Sequence, residues 1–315
     1  MKDLRIVFMG TPHFAVGILE RLVTEGANIV GVITAPDKPA GRGRKMHESA
    51  VKQFAVSQNL SLLQPTNLKD PVFLEELKSW NADLQIVVAF RMLPKLVWAM
   101  PKLGTFNLHA SLLPNYRGAA PINWAVIHGE TESGVTTFFI DEKIDTGAIL
   151  ASEKIKLEPT ETAGSLHDKL MILGSDLVIR TVMLIAKGEA HPIAQPKNKS
   201  FTEAPKLTSE NTQIDWSLPL KRIDAFVRGL NPYPAAWTVL INNDEECKVK
   251  IYECTMAEAV HDEQIGNIST TKKDLKVAVR NGFLYIKVIQ LPGKRKMEVS
   301  ALLNGYKFEE DAKFV

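Results

Sequence analysis

Short apolar runs that suit buried strands alternate with stretches of helical period from Leu4 to about residue 188, and this alternation is the strongest limit on the fold. Leu4 to Met9 is apolar, Gly10-Thr11-Pro12 interrupts it, and Phe14, Ile18, Leu19 and Leu22 then recur on one helical face as far as Gly26. Ile29 to Thr34 is the next apolar run. Strand, helix and strand in that order form a crossover unit, which places both strands parallel in one sheet with helices over its faces. The same reading predicts helices over 50–57, 72–78, 94–100, 122–128 and 165–186, and strands over 84–90, 104–109 and 135–140. An α/β domain with a doubly wound parallel sheet is therefore expected over residues 1–188.

The texture changes after Gly188. Pro192, Pro196 and Pro205 interrupt a stretch that carries Lys197, Lys199 and Lys206, and no hydrophobic period survives, so 189–206 reads as a linker. Residues 207–315 hold one short helix, expected over 221–230, and separated β-type runs over 237–241, 249–254, 275–279 and 283–289. Asn281-Gly282 lies between the last two runs and predicts a hairpin with a type I′ turn. Short strands with turn signals between them point to a small barrel.

At 315 residues and 45% hydrophobic content the chain is long enough for two domains, each with its own core. A formal charge of +2 does not mark a general nucleic-acid binder, so any basic site must be local. The two cysteines, Cys247 and Cys254, lie outside any metal-ligand spacing and read as ordinary thiols. The opening Met1-Lys2-Asp3-Leu4-Arg5 lacks the layout of a signal peptide, and no stretch has the length of a membrane helix, which points to a soluble cytoplasmic protein. Gly10 stands alone where a dinucleotide-binding loop needs Gly-x-Gly-x-x-Gly, so a nicotinamide cofactor is not expected.

The chemistry concentrates in Asn107-Leu108-His109-Ala110-Ser111-Leu112-Leu113-Pro114 and the following Asn115-Tyr116-Arg117-Gly118. Asn107 and His109 are two apart at the end of an extended run, so their side chains share one face. Asp145, in Asp145-Thr146-Gly147, follows the next strand and also lies at a strand end, where sites form in parallel α/β sheets. These residue types suit formyl transfer to an amine. Amide and imidazole N–H groups can hold the oxyanion of a tetrahedral intermediate, and a carboxylate can orient and charge the imidazole or relay protons through water. No metal and no covalent nucleophile are required.

Asn107-x-His109-x-Ser111-Leu112-Leu113-Pro114 together with Asp145-Thr146-Gly147 resembles the folate-dependent formyltransferases. The resemblance implies a Rossmann-like first domain, 10-formyltetrahydrofolate as donor, and Asn107, His109 and Asp145 as the catalytic trio. It implies that Ser111, Leu112, Leu113 and Pro114 border the folate, and that Phe90, Arg91, Met92, Leu93, Ile140 and Asp141 line the pterin pocket. The opening Arg5 to Phe14, the loop Ala35 to Lys45, and a β-rich second domain are similar to the branch of that family whose acceptor is initiator methionyl-tRNA. By the same similarity the second domain is an OB-like barrel that helps to hold tRNA, and Arg42, with Lys38, Arg44 and Lys45, grips the acceptor stem. The expected protein is a monomer.

Two other readings stay open at this level. The trio is shared with formyltransferases of sugar nucleotides and other small amines, and a non-catalytic RNA-binding relative would keep the scaffold alone. The basic loop and the second domain argue against a small acceptor, and the intact trio argues against a retired enzyme.

Overall fold

The computed structural model describes residues 3–40, 45–196 and 200–315, with the backbone alone at Ala40 and Lys45. In chain order its elements are β1 (Ile6–Gly10), α1 (His13–Thr24), β2 (Ile29–Ile33), β3 (Lys38–Ala40), β4 (Lys45–His47), α2 (Ala50–Ser57), β5 (Leu62–Leu63), α3 (Pro71–Ser79) and β6 (Leu84–Val88). There follow α4 (Lys95–Trp98), β7 (Thr105–His109), β8 (Arg117–Gly118), α5 (Pro121–Ile127), β9 (Glu132–Phe139), β10 (Ile149–Lys156), α6 (Ala163–Lys187) and β11 (Glu203–Ala204). The last elements are α7 (Leu220–Leu230), β12 (Ala236–Asn242), β13 (Glu245–Glu258), β14 (Ile268–Thr270), β15 (Leu275–Val279), β16 (Gly282–Gln290), β17 (Met297–Glu298), α8 (Val299–Leu302) and β18 (Lys313–Phe314).

The chain divides into two compact units, one of residues 1–118, 132–155 and 167–203, the other of 119–131, 156–166 and 204–315. This differs from a single cut at a linker. Ala119–Thr131 and Lys156–Leu166 group with the C-terminal unit, and the stretch up to Glu203 groups with the first.

The first unit is built on a seven-stranded sheet in the order β10-β9-β7-β6-β1-β2-β5. Strands β5, β2, β1, β6 and β7 run parallel, as the crossover pattern requires. β9 pairs antiparallel with β7, so the expected all-parallel sheet turns mixed at that edge. β1 and β6 are buried at every position, which is why both read as unbroken apolar runs. α1 starts directly after β1, and Gly10 makes the tight join possible: a Cβ there would lie 2.6 Å from Ala15 Cβ. On α6, Gly174 plays the same part opposite β7, where a Cβ would lie 2.8 Å from a methyl of Leu108. One core of this unit gathers Val7, Met9, Ile33, Phe73, Leu77 and Val87 beneath the helices. Asp70 caps α3 by accepting from Val72 N–H at 2.8 Å, with Pro71 at the first helical position.

The second unit is a closed barrel. Its strands follow the order β14-β15-β16-β13-β12-β18, and the two ends meet where Ile268 N–H donates to Ala312 O at 3.0 Å and Phe314 N–H donates to Gly266 O at 2.9 Å. Inward residues alternate with outward ones, and Leu240, Val249, Ile251, Leu284, Ile286 and Phe314 fill the interior. Trp216 stacks on Phe314 with ring centroids 5.4 Å apart and donates Nε1–H to Thr238 Oγ1. The hairpin at Asn281 forms, but not with the expected type I′ turn. Val279 pairs with Gly282, so Arg280 and Asn281 form the loop. Asn281 has φ +69° and Arg280 is not left-handed, whereas type I′ needs both central residues there. Gly282 is required by the strand instead, since a Cβ would lie 2.2 Å from Ala257 O.

The N-terminal end of the first sheet is tied by a carboxylate. Asp83 accepts Arg5 N–H at 2.9 Å and pairs with Lys102 Nζ at 2.8 Å. Lys102, then the Arg5 N–H, hold the Asp83 carboxyl below its ordinary value. A depressed carboxylate stabilises the fold above its unfolded pKa of about 4, and this contribution is lost as pH falls through the lower folded value. Asp83→Asn is expected to lower stability at pH 7 and to flatten the acid limb of the stability profile below about pH 4, read from denaturant midpoints across pH.

Candidate functional site

β7 delivers two of the three expected side chains. Phe106 and Leu108 point into the core, so Asn107 and His109 take the other face, about 6.6 Å apart along the strand. Asn107 is half-buried, paired with Val87 on one side and Phe138 on the other, and His109 is 7% exposed.

The His109 ring is held by backbone. Nε2 lies 2.7 Å from Tyr116 O, and since a carbonyl can only accept, Nε2 carries the hydrogen. Nδ1 is left for the site, 3.8 Å from Asp145 Oδ2. That separation allows attraction between charges but exceeds a hydrogen bond. Asp145 Oδ2 itself accepts Gly118 N–H at 2.9 Å. The carbonyl of Tyr116 thus orients the ring, and the Asp145 carboxylate faces its other nitrogen.

Two left-handed residues create this geometry. Tyr116 has φ +59° and Asp145 has φ +55°. For a tyrosine that conformation costs about 1–2 kcal/mol. It is offset by burial of the side chain and by Tyr116 N–H donating to Thr202 O at 2.6 Å. Asp tolerates the left-handed region well, which suits it to position 145. Gly147 follows because nothing larger fits: a Cβ would lie 1.6 Å from Phe139 O. The motif Asp145-Thr146-Gly147 is therefore a sharp turn that returns the chain to β10.

The segment 111–114 is fixed from within. Ser111 is 1% exposed and donates its hydroxyl to Asn115 O, while Thr136 Oγ1 donates to Ser111 O and accepts Leu113 N–H. Leu112 packs on β9 at Gly134, where a Cβ would lie 2.5 Å from its methyl group. Leu113 is buried. Leu112 and Pro114 are half-buried.

Phe90 and Ile140 are half-buried against the core formed by Val87, Leu93 and Val97, and Lys95 Nζ pairs with Glu142 at 3.0 Å. Apolar packing and one ion pair thus join the loops after β6 and β9. Arg91 lies over the Phe90 ring, 5.6 Å from its centre, and donates to Thr66 O at 2.9 Å and to Pro65 O. Asp141 is committed to its own loop, accepting Lys143 N–H at 2.9 Å and Thr146 Oγ1–H at 2.8 Å. Phe90 and Ile140, with the exposed Met92, are apolar residues of these two loops.

Among the basic-loop residues, Arg42 and Arg44 lie outside the described residues, as do Lys197 and Lys199. Lys38 is exposed on β3, whose hairpin with β4 pairs Lys38 with His47 and Ala40 with Lys45. Asp37 pairs with Lys52 and accepts from Gln64 Nε2 at 2.8 Å, and Lys52, then Gln64, draw its carboxyl below the ordinary value.

Sequence reading missed the groups that hold the trio in place. The carbonyl of Tyr116 and the N–H of Gly118 are backbone atoms, which no residue type announces. Gln195 is 6% exposed, donates to Asp145 O at 3.0 Å and to Gly147 O at 2.8 Å, and accepts from Arg117. It lay in a stretch without hydrophobic period. Among the described residues, no group of three or more His, Cys, Asp or Glu is arranged to hold a metal ion.

Residues 4–182 match the formyl transferase family, and residues 206–307 match the formyl transferase C-terminal domain. A methionyl-tRNA formyltransferase of Flavobacterium johnsoniae is 57% identical over 313 residues, covering 99% of each chain. One from Bacteroides thetaiotaomicron is 52% identical over 317 residues, covering 99% of this chain and 98% of its own. Among solved structures, an N-formyltransferase from Helicobacter canadensis in complex with folinic acid and dTDP-3-aminofucose superposes with a TM-score of 0.65 at 20% identity, over 90% of this chain and 98% of that one. HypX from Aquifex aeolicus in complex with tetrahydrofolic acid gives 0.63 at 18% identity, over 96% of this chain and 47% of that one. At such identities the two structures speak for the fold.

The loop after β7 depends on one hydroxyl. Thr136→Val removes the acceptor of Leu113 N–H and the donor to Ser111 O at nearly equal volume. It is expected to cost about 1–3 kcal/mol, measured by denaturant unfolding.

Proposed function

This chain belongs to the formyl transferase family, and from that premise we propose that it moves the formyl group of 10-formyltetrahydrofolate onto the free amine of initiator methionyl-tRNA. The observation that carries the reading is the trio geometry: a half-buried amide, an imidazole with one nitrogen anchored and the other free, and a carboxylate 3.8 Å from the free nitrogen. Near identity of length and more than half of all residues with methionyl-tRNA formyltransferases supports the acceptor. The reading includes a monomeric, cytoplasmic enzyme; no helix of the described residues is long and apolar enough to cross a membrane.

In this reaction the amine nitrogen bonds to the formyl carbon, the bond from that carbon to N10 of the folate breaks, and one proton passes from the amine to N10. Asn107 donates an amide N–H to the oxygen that becomes an oxyanion. His109 acts through Nδ1, because Nε2 is held by Tyr116 O. Protonated there, it donates toward the oxyanion, and Asp145 stabilises the imidazolium across 3.8 Å. The second carboxylate oxygen of Asp145 is free to take the amine proton through water. Phe90, Met92 and Ile140 offer the apolar wall for the pterin, Leu93, Arg91 and Asp141 brace that wall, and Ser111 to Pro114 shape the adjoining loop.

The barrel supports a nucleic-acid partner. Lys248 lies 3.5 Å from the ring centre of Trp237, and Lys296 lies 4.6 Å from that of Tyr252. Trp237 pairs directly with Lys250 across β12 and β13. Cations interleaved with aromatics on an outward barrel face suit phosphates and bases together. Arg42, Lys38, Arg44 and Lys45 are assigned to the acceptor stem by resemblance.

Labelled formyl from 10-formyltetrahydrofolate is expected to reach charged initiator tRNA and not elongator methionyl-tRNA or free methionine. Transfer to a small amine alone would replace the acceptor with a sugar nucleotide or similar compound. His109→Ala is expected to cut kcat by about 100- to 10,000-fold while tRNA retention in a gel stays near that of the parent. Replacing Lys248 and Lys250 by Ala is expected to weaken tRNA binding and to reduce the salt slope of binding by about one for each phosphate no longer neutralised.

A further inference from the structure

We infer that Gln195 is a positioning residue for the transfer: it locks the Asp145 turn to the Tyr116–Arg117 loop, so that the carboxylate and the imidazole keep one relative geometry. The inference rests on the formyl-transfer reading above. A primary amide offers two donor hydrogens and an acceptor oxygen, and Gln195 uses all of them on these two loops. Nε2 donates to Asp145 O at 3.0 Å and to Gly147 O at 2.8 Å. Oε1 accepts from Arg117 Nε at 3.2 Å and from Nη2.

Both carbonyls belong to the turn in which Asp145 is left-handed and Gly147 leaves no room for a side chain. Two carbonyl dipoles aimed at one place repel each other, and a double donor between them removes the repulsion. Arg117 stands between Tyr116, whose carbonyl anchors His109, and Gly118, whose N–H anchors Asp145. Its guanidinium lies 5.2 Å from the ring centre of Phe201, and Tyr116 N–H bonds to Thr202 O, so the loop is held from its outer side as well. One buried side chain therefore joins both halves of the site. Glu would supply no donors when ionised, and Asn would fall one methylene short.

Why this matters for rate follows from distance. Asp145 acts on His109 across 3.8 Å without a direct hydrogen bond to hold the spacing. The loops that carry the two groups set it, with Gln195 tying them together, and displacement by about 1 Å in a reacting site costs up to about 100-fold.

Gln195→Met and Gln195→Glu test this in the full-length enzyme. Both are expected to lower kcat by about 10- to 100-fold with little change in KM for folate or tRNA. A carboxyl group in place of the amide can donate to one of the two carbonyls once it is protonated, so Gln195→Glu is expected to recover kcat relative to the parent as pH falls, and Gln195→Met is not. In both variants the ring ¹⁵N signals of His109 are expected to shift at constant pH. Parent-like kcat, pH profile and His109 signals, or a lower Tm with kcat unchanged, would overturn the inference. Ile193→Ala, an exposed neighbour in the same segment, serves as a control with parent-like kcat. If the parent enzyme itself transfers no formyl group, the functional reading fails, and the His109 signals still decide whether Gln195 sets the geometry.

Discussion

The hydrogen bond from His109 Nε2 to the carbonyl of Tyr116 is the contact on which the site depends. It selects the tautomer, fixes the ring plane and leaves Nδ1 facing Asp145. It exists because Tyr116 accepts a left-handed conformation, and Tyr116 can do so because its side chain is buried and its N–H is bonded. The His109 imidazole is thus oriented by backbone, and the Asp145 carboxylate faces its other nitrogen. This differs from a triad in which the carboxylate itself holds the imidazole.

The rest of the first unit serves that arrangement. Parallel strands β1, β6 and β7 end on one side, and two buried central strands give β7 a rigid neighbour. The antiparallel β9 then brings Phe139 back beside Phe106, and the turn after it presents Asp145 toward His109. The barrel unit supplies a different chemistry, with outward lysines set against Trp237 and Tyr252.

Side-chain chemistry was legible in the sequence where a period or a motif carried it. Asn107 and His109 share a face because a strand has period two, and both follow from the sequence alone. Asp145 was readable because Asp-Thr-Gly at a strand end marks a sharp turn, and the overlap at Gly147 explains the glycine. Direction is not carried by period, so the antiparallel course of β9 could not be read. Nor could the carbonyl of Tyr116 or the N–H of Gly118, since every residue owns such groups. Gln195 was hidden for a related reason: a segment held by polar bonds to loops has no hydrophobic repeat, and it reads as linker. At Asn281-Gly282 the dipeptide was right for a hairpin, but strand pairing moved the turn by one residue.

The measurement that bears most directly on this account is ¹⁵N NMR of the His109 ring in the free enzyme. The structure predicts a protonated, pyrrole-type Nε2 and a pyridine-type Nδ1 in the neutral ring, with the assignment lost in a variant that cannot form the Tyr116 turn. A neutral ring protonated on Nδ1 instead would place the hydrogen toward Asp145, remove the backbone anchor, and contradict the division of roles proposed for Tyr116, His109 and Asp145.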